Sequence, residues 1–411
     1  VCSLSGEITQ DTGLTAANYY QLDGKVVIGG DNTSSAVLTV DPGTTVFGGT
    51  SFDFLVISRG SQLIAKGTRS SPITFTSIED EGLGGSADID TSRGLWGGLV
   101  INGNAPINDC PEGAEGGTDA CTKEGEADSG TFGGSNAADN SGVLSYVVVK
   151  YAGSNVDPEN QLNGIAFQGV GSATQVDFVQ VHNNLDDGVE FFGGTVNAKH
   201  IVLTGNADDS LDWTDGWTGK VQYLYIEQTD AADNAIEADN REGNESALPR
   251  CQPSIANMTV LGNAGENALR LRRGTGLALI NSYVSGSATC IRVDGPSRDL
   301  LGTDLTVAGT SFSCSETHSE DVDGAVEAYL DSAVNVSQTG GTVTPVPPAD
   351  NFFEQTDFVG AFGAEDWSAG WTVAGSVSAP EQPDFGCPAG TTESARVIDG
   401  TRVCELTGTI L

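Results

Sequence analysis

Residues 183–194 read NNLDDGVEFFGG, and residues 205–216 read GNADDSLDWTDG. In both, two adjacent aspartates precede a small residue and an apolar–polar–apolar triplet. Aligning the chain on this pattern gives QLNGIAF (161–167), LDDGVEF (185–191), ADDSLDW (207–213), ADNAIEA (232–238), GENALRL (265–271) and SATCIRV (287–293), spaced 24, 22, 25, 33 and 22 residues apart. The longest spacing contains an insertion, DNREGNESALPRCQPS (239–254). Self-similarity near this period is the signature of a solenoid. The stretches between, such as YVVVKYAG, VDFVQVHN, KHIVLTGN and VQYLYIEQ, are rich in β-branched and aromatic residues and lack a helical period. The predicted fold is all-β: a right-handed parallel β-helix whose coils stack at about 4.8 Å.

Stacking converts the template into columns. Ile165, Val189, Leu211, Ile236, Leu269 and Ile291 form one inward row, and Phe167, Phe191, Trp213, Ala238, Leu271 and Val293 a second. Asn163, Asp187, Asp209, Asn234 and Asn267 form a turn column suited to binding backbone amides of the next coil. Beside it run Asp186, Asp208, Asp233 and Glu266. Carboxylates at strand spacing repel one another, so this column must be solvated, paired with cations or bound to metal. An outward column reads Glu190, Asp212, Glu237, Arg270, Arg292 and changes sign midway. Asp186, Asp208, Asp233, Glu190, Asp212 and Glu237 are the candidate metal ligands. Calcium is the candidate ion, because it favours several oxygen donors. A solvated acidic face is the alternative.

The 411 residues carry 56 acidic and 18 basic side chains, a formal net charge of -38. Such a chain repels phosphate backbones and shows no basic stripe, which excludes nucleic acid as a partner. No apolar run is long enough to span a bilayer. Eight cysteines without a C-x-x-C pair, and three histidines, favour disulfides in an oxidising compartment over a zinc or haem site. Cys110–Cys121, Cys290–Cys314 and Cys387–Cys404 are the nearest sequential pairs, leaving Cys2 and Cys251; other connectivities remain open. The start at Val1 and the single methionine, Met258, read as a mature chain without its leader. The expected location is secreted, extracellular or cell-surface.

GLWGGLVINGNAPIN (94–108), NSGVLSYVVVKYAG (140–153), residues 162–224 and FVGAFGAEDWSAGWT (358–372) resemble a group of secreted or surface-attached bacterial proteins, usually labelled hypothetical or lipoprotein. The resemblance covers most of 90–375. It implies a right-handed β-helix and an envelope or extracellular location, and brings no catalytic residues. Cys2 follows Val1, so the start does not resemble a lipidated cysteine.

The two ends resemble each other. VCSLSGEI (1–8) and VCELTGTI (403–410) agree at six of eight positions, counting a Ser/Thr exchange. Val1, Cys2, Leu4 and Ile8 correspond to Val403, Cys404, Leu406 and Ile410. Either both segments pack within one molecule, or the last strand of one copy adds beside the first coil of the next and builds a head-to-tail filament. No amphipathic capping helix is evident at either end.

Residues 1–310 therefore read as the β-helix, with loop insertions near 81–93, 108–139 and 239–254. Residues 311–375 read as a linker and an aromatic-rich covering segment, with a sugar-stacking platform as the alternative for its aromatic residues. Residues 376–411 read as a disulfide-stapled strand segment. His182 and His200 read as turn residues. The expected function is a structural or adhesive, self-associating protein. The alternative is a calcium-dependent polysaccharide lyase or glycan binder, with Arg270, Arg272, Arg273 and Arg292 beside the acidic face as the basic groups a lyase needs.

Overall fold

The computed structural model describes residues 1–157, 160–320, 324–378, 391–398 and 401–406; side chains are described for all of these except 155–157, 160–161, 320, 391–398 and 401–406. The main sheet is parallel throughout and winds as a β-helix with three stacked rows of strands. One row runs from Phe54–Ile57 through Gly98–Asn102, Ile165–Gln168, Val189–Phe192, Leu211–Thr214, Ile236–Ala238, Asn267–Leu271 and Thr289–Val293 to Glu316–Glu320. Both predicted inward columns are in register: Ile165 pairs with Val189, Val189 with Leu211, and Phe167 with Phe191, Phe191 with Trp213. The interior is filled by these rows. Phe167 stacks on Phe191 at 5.2 Å, and Phe191 on Trp217 at 4.0 Å.

The solenoid runs past the boundary drawn at 310. Ser311–Ser313 and Glu316–Glu320 pair with Tyr283–Ser285 and Thr289–Val293 as a further coil. The sequence repeat fades there because Ile291 and Arg292 are matched by His318 and Ser319, which break the apolar–polar–apolar pattern. The expectation of an uncapped end is also corrected. The helix Ala325–Ser332 follows, and its Val326 and Leu330 are buried in the main core. One turn of spacing places these two on one face; an eight-residue helix carries too few apolar positions to stand out in the sequence.

A second feature was not legible in advance. Tyr146, Phe178, His200, Tyr223, Asn257 and Asn281 occupy a corner between two strand rows, each with φ between 50° and 62°. This left-handed bend turns their side chains outward as a stack. Tyr146 lies on Phe178 at 4.4 Å, Phe178 on His200 at 4.2 Å and His200 on Tyr223 at 4.7 Å. His200 is thus an aromatic layer within the strand Asn197–Thr204, rather than a turn residue. His182 ends the strand Gln175–His182, where it contacts Thr204 and the carbonyl of Ile89; burial pushes its pKa down to about 4, so it is neutral.

Residues 346–378 form a strap across this row. Trp371 meets Tyr146 and Phe178 edge-on at 5.8 and 6.0 Å, and Phe362 and Trp371 are buried against Val148, Val202 and Tyr225. The aromatic residues of the strap are therefore turned onto the sheet. Three side-chain amides act as surrogate backbone. Gln222 accepts from the Glu354 N–H and donates to its carbonyl, both at 2.9 Å. Asn281 does the same with Val346, and Gln180 accepts from the Val373 N–H and donates to Ser376. Gln222→Ala removes both bonds at a buried position. It is expected to cost about 1–3 kcal/mol in urea denaturation and to open the strap near Glu354 to limited proteolysis.

Among the described residues two disulfides are present, Cys110–Cys121 and Cys290–Cys314, with Cα atoms 4.5 and 5.4 Å apart. Cys2 is free and exposed, and Cys251 free and buried. Cys387, the side chain of Cys404 and residue Ile410 lie outside the described residues, and so does their predicted pairing. The strands Thr391–Ile398 and Thr401–Leu406 form an antiparallel pair of their own. Among the described residues no helix is long and apolar enough to cross a membrane.

Candidate metal centre

The turn leading into each strand of the first row sets the site. Asn184 Nδ2 donates to the Asp187 carbonyl of its own turn at 2.7 Å, while its N–H donates to Asn206 Oδ1 of the next coil at 3.0 Å. The small residue of the template is a packing requirement: a Cβ on Gly188 would lie 2.4 Å from Asn206 Nδ2 and 2.6 Å from the Ser210 carbonyl. This tightness brings the aspartate pairs of adjacent coils over one another.

The turn column is a hydrogen-bonded ladder. The N–H of Asp209 donates to Asp187 Oδ1 at 3.0 Å. Asn234 donates twice to Asp209 Oδ1, from its backbone at 2.7 Å and its side chain at 2.9 Å, and Asn267 Nδ2 donates to Asn234 Oδ1 at 3.0 Å. At the top Asn163 departs from this scheme. Its Nδ2 donates to Glu190 Oε2 at 2.6 Å, and its Oδ1, on a residue 3% exposed, has no partner.

Asp187 and Asp209 also belong to the acidic face. The structure groups Asp186, Asp187 and Asp208; Asp187, Glu190 and Asp212; Asp208, Asp209 and Asp233; and Asp209, Asp212 and Glu237, each set offering one oxygen per residue within 4.8 Å of the others. The six sequence candidates thus lie in one continuous row, with the two ladder aspartates shared between sets. Glu266, by contrast, is outside these sets. Asp186, Asp187, Asp209 and Glu190 are buried, and Asp208, Asp212, Asp233 and Glu237 half-buried.

This geometry is electrostatically costly. Burial, reinforced by Asp208, pushes Asp186 up to about 8. Burial and then Asp212 hold Asp187 and Glu190 well above the usual carboxylate range. Asp209 and Asp212 are raised the same way, with Glu237 and Asp209 respectively as the leading neighbour. The row must carry protons or a cation. The ligand atoms it offers are all carboxylate oxygens; this set suits a hard divalent cation and not zinc or copper.

The insertion 108–139, stapled by Cys110–Cys121, contributes groups the sequence did not mark. Its Lys123 bridges Asp109 at 2.8 Å and Asp215 at 2.9 Å. Its Glu126 is close enough to raise both Asp186 and Glu190, and burial pushes Glu126 itself up to about 7 against the pull of Lys123. Neither residue belongs to the repeat, so only the acidic character of the loop hinted at them.

The basic end of the outward column is in register, Glu237 with Arg270 and Arg270 with Arg292. Its guanidiniums are engaged. Arg270 contacts Glu237 at 3.3 Å, Arg272 binds Glu237 and Asp239, Arg273 binds Asp239 at 2.5 Å and Glu242, and Arg292 binds Asp294 at 2.9 Å. Held by carboxylates in this way, these arginines are poorly placed to take a proton from a substrate.

No curated protein and no solved structure shows a significant match to the chain. The model of the pectate-lyase-like β-helix domain matches residues 6–372, nearly the whole chain. With its parallel coils and continuous inward columns, the chain belongs to the pectate-lyase-like β-helix family.

Proposed function

We propose that this is an extracellular surface protein whose carboxylate row holds calcium and, through it, an acidic polysaccharide. The observation that carries the reading is the run of four overlapping carboxylate triads. A chain of net charge -38 repels a uronate polymer; a bound divalent cation reverses the local sign and gives the polymer carboxylates a partner. Asp208, Asp212 and Asp233 are only partly buried, which leaves part of the row open to such a ligand. The disulfides support an oxidising, extracellular setting. The engaged arginines favour binding over cleavage.

Calorimetric titration with calcium tests this directly. The wild-type protein is expected to bind, and Asp187→Asn/Asp212→Asn to bind more than tenfold more weakly. Polygalacturonate is expected to co-sediment with the wild type only in calcium. Absence of calcium binding sinks the reading, and unsaturated product from the polymer would convert the binder into a lyase. The outer edge of Cys2–Ile8, with which no described strand pairs, favours a second, compatible property: head-to-tail self-association, as expected of a structural or adhesive protein.

A further inference from the structure

Among the described residues the first strand, Cys2–Ile8, pairs only with Tyr19–Ile28. Its other edge is bare, whereas the opposite end of the solenoid is closed by the helix Ala325–Ser332. The core is unfinished at this edge. Leu4 pairs with Leu22 and Ile8 with Ile28. Leu22 and Ile28 are fully buried, while Leu4 and Ile8 are only partly so. Gly6 bends the strand with φ 63°, and a Cβ there would meet nothing within 4 Å, so the glycine serves the backbone conformation and not space.

Residues 403–410 keep what such a coil needs. Leu406, Gly408 and Ile410 correspond to Leu4, Gly6 and Ile8. The non-identical positions, Ser3, Ser5 and Glu7 against Glu405, Thr407 and Thr409, are all exposed in the first strand. A segment free to drift would not confine its changes to the outer face. Within one chain, Thr401–Leu406 pairs with Thr391–Ile398, and no described strand pairs with the outer edge of the first strand. Ser378, the last strap residue described, is fixed to Glu227. Residues 379–402, roughly 24 in number at about 3.3 Å each, span at most about 80 Å once the pair with Thr391–Ile398 opens, a tether long enough to carry the segment away from Ser378.

We propose that residues 403–410 are a detachable coil: in parallel register they cover the edge of Cys2–Ile8 on a second copy, Leu406 over Leu4 and Ile410 over Ile8. Backbone bonds supply the affinity, and the two apolar residues complete the partner's core. The contact joins two different surfaces, so it does not close and each addition leaves a new edge. The proposal is independent of the cation reading.

Complementation tests it. Leu406→Asp/Ile410→Asp removes the donor, and Leu4→Asp/Ile8→Asp the acceptor. Light scattering after size exclusion is expected to show wild-type oligomers that grow with concentration, each variant alone as a monomer, and the equimolar mixture as a one-to-one dimer. Should the acceptor variant fail to fold, a synthetic peptide of residues 401–411, under reducing conditions, replaces it. The peptide is expected to bind the donor variant at least tenfold more tightly than the same peptide with both aspartates. A monomeric wild type, a donor variant that still polymerises, or a mixture or peptide without binding overturns the proposal; a monomeric wild type whose mixture stays unpaired would mean that the segment docks on its own chain.

Discussion

Without divalent cations the folded protein is expected to lose stability as pH rises from about 4 to about 8, and calcium, bound as proposed, is expected to reverse the loss. In the fold Asp186 keeps its proton up to about 8, against 3.8 for the free side chain. The folded state binds that proton more tightly than the unfolded chain does. The stabilisation is therefore complete below the unfolded value and is lost as pH rises through the folded one. Asp187, Glu190, Asp209 and Asp212 are shifted in the same direction by burial and by one another, so their losses add to it. Asp80 acts oppositely. Lys150 and Thr76 hold its carboxylate low despite burial, so its contribution is present above about pH 4 and fades as pH falls below it. Calcium bound as proposed needs the deprotonated row, so its affinity is expected to rise over the window in which the protons leave. At a hundredfold excess over its dissociation constant it contributes about 2.7 kcal/mol. Thermal melts between pH 4 and 9, in chelator and in calcium, check this. A flat profile in chelator, or identical profiles in both, contradicts it. Asp187→Asn/Asp212→Asn is expected to flatten the chelator curve and remove the calcium response.

The second large effect belongs to the core. Phe191→Ala is expected to destabilise the protein by about 3–5 kcal/mol. The ring is 2% exposed and lies between Phe167 and Trp217, in near-parallel stacks. Neither neighbour is free to collapse into the gap, because Trp217 Nε1 is tied to the Val196 carbonyl at 3.2 Å and the Phe167 backbone is locked in register between Ile101 and Phe191. Phe191→Leu keeps most of the volume and is expected to cost clearly less. Equilibrium urea unfolding of the two variants measures the difference; equal losses would mean that the stack contributes nothing beyond bulk.

The β-helix could be read from the sequence because stacking repeats the chemistry of one coil in the next. The inward rows through Ile165 and Phe167 and the acidic pairs at 186–187 and 208–209 recur at a coil's length, and the register follows directly. The corner row was hidden for the opposite reason. A left-handed φ there is shared by Tyr146, Phe178, His200, Tyr223, Asn257 and Asn281, residues with no common identity. Glu126, which reaches the row, and Lys123, which reaches Asp215, were hidden because they come from a loop that belongs to no repeat. The cap at Val326 and Leu330 and the coil at 316–320 lie where the template has already decayed. Sequence periodicity reports contacts between neighbouring coils and is silent on anything laid across them.

The strap is of that second kind. In a solenoid each coil touches only its neighbours, so unfolding can start at an end and move inward coil by coil. Bonds from Arg69 to Trp367, Gln180 to Ser376, Gln222 to Glu354 and Asn281 to Val346 tie distant coils to one outer segment. Under tension along its axis, such a molecule peels freely only where nothing is lashed over it. Beyond that point the strapped coils can come apart only together with the strap.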